Sequence, residues 1–218
     1  MIVIDGPEYI EPFRSAIARL DMRRADICAL TANVGRNGFY GHRVYAVFSH
    51  LTDSDLICFL HQDNWLEPDH VASLLDAIET NAWDWAFVFR NVVDSDGAFL
   101  VHDEWQSVGP WNQTSPHKLV DTNCYCLRMS VAQRFASHLH GGLRQDRAFY
   151  AALSQGAPNY GTTGQYTVNY RMRGDLQDAV INLLVRENFA MHARYPDGLP
   201  WLDRNTVAPH GVLDSEAG

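Results

Sequence analysis

Asp63 stands in His61-Gln62-Asp63-Asn64, four consecutive hydrogen-bonding side chains placed directly after the apolar run 56–60. A hard divalent cation such as Mg²⁺ or Mn²⁺ wants oxygen ligands, and often takes only one or two carboxylates plus substrate phosphates. On that chemistry Asp63 is a candidate metal ligand, and Gln62 beside it adds a neutral oxygen or a hydrogen bond. A turn or a helix cap is the plainer use of the same residue types. A second carboxylate, Asp146, lies in His140-Gly141-Gly142-Leu143-Arg144-Gln145-Asp146-Arg147, a polar cluster that opens a helix. The positive end of the helix dipole favours a carboxylate there. Such a group can take the proton of an attacking hydroxyl, or simply pair with Arg144 or Arg147. Asp5 closes the short apolar run Ile2-Val3-Ile4. Trp83, Trp85, Trp105 and Trp111 lie near Asp103 and Glu104. Sugars stack on aromatic rings and hydrogen-bond to carboxylates, whereas buried tryptophans are simply core.

The elements that must position these groups follow from hydrophobic periodicity. Residues 2–4, 27–30 and 56–60 are apolar runs of the kind buried strands produce. Pro12 opens a helix with Phe13, Ile17 and Leu20 on one face. A Gly/Asn loop, Thr31-Ala32-Asn33-Val34-Gly35-Arg36-Asn37-Gly38, gives room for close backbone approach to a ligand. Helices are expected over 41–51 (Val44, Val47, Phe48 and Leu51 on one face) and over 69–80 (Val71, Leu74, Leu75 and Ile78). Strand and helix thus alternate through residue 80, the pattern of a mostly parallel sheet flanked by helices. Ligands bind such sheets at the carboxyl ends of strands, which is where Asp5 and Asp63 fall. The second half reads as a strand over 85–90, a turn at Asp94-Ser95-Asp96-Gly97, a return strand over 99–101 and an aromatic-rich irregular stretch over 102–118. A broken strand over 120–127, a helix capped by Ser130, the helix after Arg144, an alternating strand over 166–171 and a helix marked by Leu176, Val180, Leu183 and Leu184 complete it. The predicted class is α/β, one domain over 1–218. It comprises a ligand-binding half over 1–82, a second, mixed or antiparallel half over 83–195 and a tail over 196–218.

Composition bounds the function. With 46% hydrophobic and 20% charged residues over 218 positions the chain is an ordinary globular sequence. A formal charge of −9 disfavours nucleic acid and acidic membrane surfaces as partners. No run of 18 apolar residues encodes a transmembrane helix, and the N-terminus lacks a signal-peptide pattern, so a cytoplasmic protein is the expectation. Cys28 and Cys58 read as small core residues, and Cys124-x-Cys126 does not have a zinc-knuckle spacing.

The segment 55–70, with its apolar strand, Asp63, Trp65 and Pro68-Asp69-His70, resembles the central motif of inverting family 2 glycosyltransferases of the GT-A fold. Asn33-x-Gly35 with His42-Arg43-Val44 is similar to that family's Asn-x-Gly … Ala-Arg-Asn segment, and Ile2-Val3-Ile4-Asp5-Gly6 to its Val-Val-Asp-Asp-Gly strand. Gln145-Asp146 stands where the family has its Glu-Asp pair. The resemblance implies a metal-dependent inverting transfer of a sugar from a nucleoside-diphosphate sugar to an acceptor hydroxyl. It implies Asp63 as ligand of Mg²⁺ or Mn²⁺, with His192 as a further, late ligand. Asp5, Asn33, Arg43 and Gln62 would lie with Asp63 at the nucleotide-sugar, and Asp146 would be the catalytic base. Trp105, Asp103 and Asp121 would line the acceptor side, and Arg194 would stand near the leaving diphosphate.

The sequence departs from that pattern in three ways. His61, Gln62 and Asn64 replace acids, Gln145 replaces the Glu, and the family's first strand and helix have no counterpart ahead of Ile2. These departures support an alternative, a non-catalytic or truncated glycosyltransferase-like binding protein. A nucleotidyltransferase would want a Gly-rich basic phosphate loop, which the sequence lacks. The acceptor, the sugar, the base and any homo-oligomer are left open.

Overall fold

The computed structural model describes residues 2–11, 14, 27–115, 118–142, 144–172, 177–203 and 205–209. Two sheets organise them. Strands β1 (Ile2–Ile4) and β2 (Ile27–Ala29) pair in parallel. A seven-stranded sheet holds β3 (Leu56–Cys58), β4 (Trp65–Leu66), β5 (Trp85–Val93), β6 (Phe99–His102), β7 (Tyr125–Arg128), β8 (Tyr160–Arg171) and β9 (Thr206–Val207). Its order is β3-β7-β5-β8-β4, with β6 on β5 and β9 on β8.

This larger sheet corrects the expectation of mostly parallel strands. Among its described pairs only β5/β8 is parallel; β3/β7, β5/β7, β5/β6, β4/β8 and β8/β9 are antiparallel. The cause lies in the connections. Strands β3, β5 and β8 run the same way, and β7 enters between β3 and β5 in reverse, arriving from the irregular stretch rather than from a crossover helix. A parallel neighbour needs a long crossover. The β5–β6 hairpin turns at Asp94, whose Oδ1 accepts the N–H groups of Asp96 (2.9 Å) and Ala98 (2.8 Å).

The helices are α1 (His42–Leu51), α2 (His70–Asn81), α3 (Met129–Phe135), α4 (Gln145–Gly156) and α5 (Gln177–Arg194). The helix expected from Pro12 falls largely outside the described residues, as does Leu176. Ser130 lies inside α3 rather than capping it. Two apolar faces differ from the spacing. In α1, Val44 and Ala46 are buried while Val47 and Leu51 are exposed; in α2, Leu74 and Ile78 are fully buried while Val71 and Leu75 face out. Each helix touches the core along a narrower stripe than the full set of apolar positions defines.

The core centres on β5, where Trp85 to Phe89 are wholly buried. Trp85 stacks on Tyr160 with ring centroids 3.8 Å apart, and its indole N–H donates to the Ala157 carbonyl at 2.8 Å. Phe149 of α4 meets Tyr125 of β7 edge-on at 5.4 Å. Burying each such side chain contributes on the order of 1.5–3 kcal/mol. Trp83, Trp85 and Trp111 are therefore core, and Trp105 is half-buried with its indole N–H donated to Thr114 at 2.7 Å.

Candidate active site

The loop that follows β3 is placed by its neighbour β7. Cys58 opposes Cys126 in the antiparallel register. Three residues further on, the same register brings His61 opposite Asn123. The His61 N–H donates to Asn123 Oδ1 at 2.6 Å, which prolongs the ladder to the start of the His61–Asn64 cluster. Asn123 is itself fixed, its backbone N–H and its Nδ2 both donating to Asp121 Oδ1 at 2.9 and 2.6 Å. The other Asp121 oxygen takes Arg90 Nη1 at 2.5 Å. Arg90 also donates through Nε to Asp103 Oδ2 (2.8 Å) and through Nη2 to Gln106 (2.6 Å). It lies 4.4 Å from the ring centre of Tyr170. A buried guanidinium with two buried carboxylates thus holds the loop that presents Asp63.

The electrostatics follow from that arrangement. Burial pushes the Asp121 carboxyl up, but Arg90, His61 and the Asn123 donors outweigh it and hold the group below the ordinary range. Burial lowers the Arg90 guanidinium, and Asp103 with Asp121 more than restores it, so its charge is permanent. Tyr45, stacked on His61 at 5.6 Å, is pushed well up by burial and then by Asp121 and Asp63. Tyr170 is pushed up by burial against the pull of Arg90, with Asp121, Asp63 and Asp146 adding to the rise. The Tyr170 phenol therefore lies in the field of Asp63, Asp121 and Asp146.

Asp146 lies in the first turn of α4, behind Arg144 at φ 70°. Its Oδ1 accepts the Arg147 N–H at 2.9 Å and lies 3.4 Å from Arg147 Nη1. Asp5 is spent on the neighbouring loop, its two oxygens accepting the N–H groups of Val34 and Gly35 at 2.7 Å each. Gly35 is required there, since an added Cβ would meet Asp5 Oδ2 at 2.6 Å and the Gly41 backbone at 2.8 Å. Asn33 donates to Glu8 at 3.3 Å, and the Arg43 guanidinium lies 3.1 Å from the Phe39 ring centre. Gln62 is exposed and Asp63 half-buried. Asp103 is wholly buried; besides Arg90 it accepts the N–H groups of Trp105, Gln106 and Ser107. His192 sits late in α5, its Nε2 2.8 Å from Glu104 Oε2. The structure thus ties Asp121 to Arg90, Asp146 to Arg147 and His192 to Glu104.

The sequence assigns no role to Arg90, Tyr45 or Tyr170. Only one signal marks any of them: Arg90 is the single charged residue within the strand Trp85–Val93.

Among the described residues no three His, Cys, Asp or Glu side chains gather into a metal cage. Asp121 is committed to Arg90 and His192 to Glu104. Asp63 has no ion pair among the described residues, so a cation fits here in one form: one carboxylate, with phosphate oxygens and water completing the shell.

No protein-family model matches the chain, and neither does any curated protein. Solved structures do. The crystal structure of S. aureus TarS 1-349 matches with a TM-score of 0.55 at 12% identity, over 89% of this chain and 71% of that one. The same TarS fragment in complex with UDP-GlcNAc gives 0.55 at 12% identity over 89% and 72%, and in complex with UDP 0.54 at 12% over 88% and 71%. At this identity the likeness is one of fold alone. No helix among the described residues is long and apolar enough to cross a membrane.

Proposed function

We propose that this chain is a metal-dependent, inverting glycosyltransferase that moves a sugar from a nucleoside-diphosphate sugar to an acceptor hydroxyl. The observation that carries the reading is the loop after β3 that presents Asp63, held through His61, Asn123, Asp121 and Arg90, in a fold similar to that of a protein solved in complex with UDP-GlcNAc. In this reading Asp63 and Gln62 meet the donor diphosphate. Asn33 and Arg43 line the nucleotide edge from the loop that Asp5 fixes. Trp105 and Asp121 border the acceptor, and Asp103 acts through Arg90. Asp146 takes the acceptor proton as the oxygen attacks the anomeric carbon; the bond to the diphosphate breaks and its electron pair leaves with the phosphate. One base on the face opposite the leaving group gives inversion. A divalent cation, Mg²⁺ or Mn²⁺, held by Asp63 would supply positive charge to the leaving group.

The test incubates the purified chain with UDP-GlcNAc and other nucleoside-diphosphate sugars, with Mn²⁺ or with a chelator, and follows nucleotide release and melting temperature. Stabilisation that requires nucleotide and cation together, with nucleotide release that Asp146→Asn removes, supports the proposal. The commitment of both Asp5 oxygens to the loop favours a second reading, a non-catalytic binding protein. It predicts nucleotide-dependent stabilisation without release from any donor.

A further inference from the structure

Cys58 ends β3, and Cys126 lies directly across from it on β7. Opposed residues of an antiparallel pair have Cα atoms about 4.5 or 5.5 Å apart and send their side chains to the same face. Both spacings lie inside the roughly 4.4–6.8 Å that a disulfide bridges. Both cysteines are free thiols, and the transfer reaction uses neither. Cys126 is 2% exposed, on a strand flanked by β3 and β5; Cys58 is half-buried on β3, at the edge of the sheet. The other cysteines have different neighbours: Cys28 opposes Val3 in the two-stranded sheet, and Cys124 bonds to Ser107. The two opposed thiols share a hydrogen bond, and that bond, ahead of burial, pushes Cys58 well up. A thiol so held exchanges slowly, so the pair answers to an excess of disulfide rather than to traces of it. The pair also stands close to the candidate site. His61, three residues beyond Cys58, donates its N–H to Asn123, three residues before Cys126. The same ladder therefore carries both the dithiol and the loop that bears Asp63.

We propose that Cys58 and Cys126 are a redox-modification site, closing a cross-strand disulfide by exchange with a low-molecular-weight disulfide and so stiffening the ladder that holds the Asp63 loop. Cys58, as the thiolate, attacks one sulfur of the disulfide RSSR and expels RS⁻, which leaves a mixed disulfide on Cys58. Cys126 then attacks the Cys58 sulfur and expels the second RS⁻. The two protein thiols are oxidised, RSSR is reduced, and the two protons leave with two RSH. A stiffened loop is preorganised for its ligand. That the sugar donor feels this rests on the reading of Asp63 as its site; the disulfide does not.

The test incubates the folded chain with oxidised glutathione, alkylates the remaining thiols after unfolding and maps the cysteines by mass spectrometry. The expected product joins the Cys58 and Cys126 peptides and leaves Cys28 and Cys124 alkylated. Cys126→Ser should stop at glutathione on Cys58. Wild-type Cys58 and Cys126 both recovered as free thiols, or glutathione retained on Cys58 with Cys126 free, overturn the site. Hydrogen exchange reads the ladder without any ligand. The His61 N–H should exchange about 10-fold or more slowly in the oxidised chain and recover when dithiothreitol reduces it. Equal rates in the two forms overturn the stiffening. Calorimetry with a nucleoside-diphosphate sugar should then show binding about threefold or more tighter in the oxidised form. Equal affinities overturn control of the donor while the mapped bond stands, and no binding in either form refutes the donor reading instead.

Discussion

Arg90 Nη1 lies 2.5 Å from Asp121 Oδ2, with the two side chains only 6% and 14% exposed. The same guanidinium holds the wholly buried Asp103, so one cation offsets two buried carboxylates. Arg90→Met would leave both acids unpaired in a low-dielectric interior. Breaking such a cluster costs about 3–5 kcal/mol. Urea unfolding should show the loss, and Arg90→Lys, which keeps the charge without the planar fork, should fall between the variant and the wild type. An Arg90→Met protein as stable as the wild type would remove the cluster from the account of the fold.

Two neighbouring glycines are expected to respond differently to alanine. Gly35→Ala drives a Cβ into Asp5 Oδ2 and the Gly41 backbone, at 2.6 and 2.8 Å. The loop must move, at a cost of about 1–3 kcal/mol, and nucleotide affinity should fall with it. Gly38 has nothing within 4 Å of its Cβ position but sits at φ +86°. Gly38→Ala should cost only the left-handed backbone strain, about 1–2 kcal/mol. Melting temperatures and nucleotide titrations of the two variants check the contrast: the two stabilities should be similar, with affinity lost in Gly35→Ala.

Much of this architecture is legible in the sequence where a local pattern decides it. The strands at Ile2–Ile4 and Ile27–Ala29, the Asp94 turn and the starts of α2 and α4 follow from apolar runs, turn chemistry and helix periodicity. Strand direction is not local. The β-α alternation up to residue 80 contains nothing about β7, which inserts from more than 60 residues away and reverses the pairing. Burial is likewise decided by partners, so Val47 and Leu51 could not be told from Val44. At the site, Asp63, Asp121 and Asp146 stand out as carboxylates in polar clusters. Arg90, Tyr45 and Tyr170 acquire meaning only when β5, β8 and α1 meet the loop after β3.

The transfer reaction offers the direct check on Asp63 and Asp146. Asp146→Asn should reduce transfer by about 10²–10⁴-fold, the usual contribution of a positioned base, with donor binding retained. Asp63→Asn should instead weaken donor binding and remove its dependence on Mn²⁺, because the cation loses its protein carboxylate. Calorimetric titration with a nucleoside-diphosphate sugar, with and without Mn²⁺, separates the two effects. Binding of equal strength and equal metal dependence in Asp63→Asn would take Asp63 out of the donor site.

His70 gives a pH test independent of any activity. It is 1% exposed, with Nδ1 2.8 Å from Thr167 Oγ1, and burial lowers its pKa from 6.5 to about 4 despite the opposing pull of Asp69. Between those two values the unfolded chain binds the proton and the native imidazole does not. Stability from this group is therefore complete above pH 6.5 and is lost as the pH falls towards 4, with no further loss from it below. A gap of this size corresponds to at most about 3 kcal/mol. Urea unfolding at a series of pH values from 7 to 4 should show the decline in the wild type and a shallower one in His70→Gln, whose amide does not titrate. The difference between the two curves isolates His70 from the carboxylates that titrate in the same range. Parallel curves would mean that the native imidazole takes up its proton as readily as the unfolded one, and that the contact with Thr167 does not depend on a neutral ring.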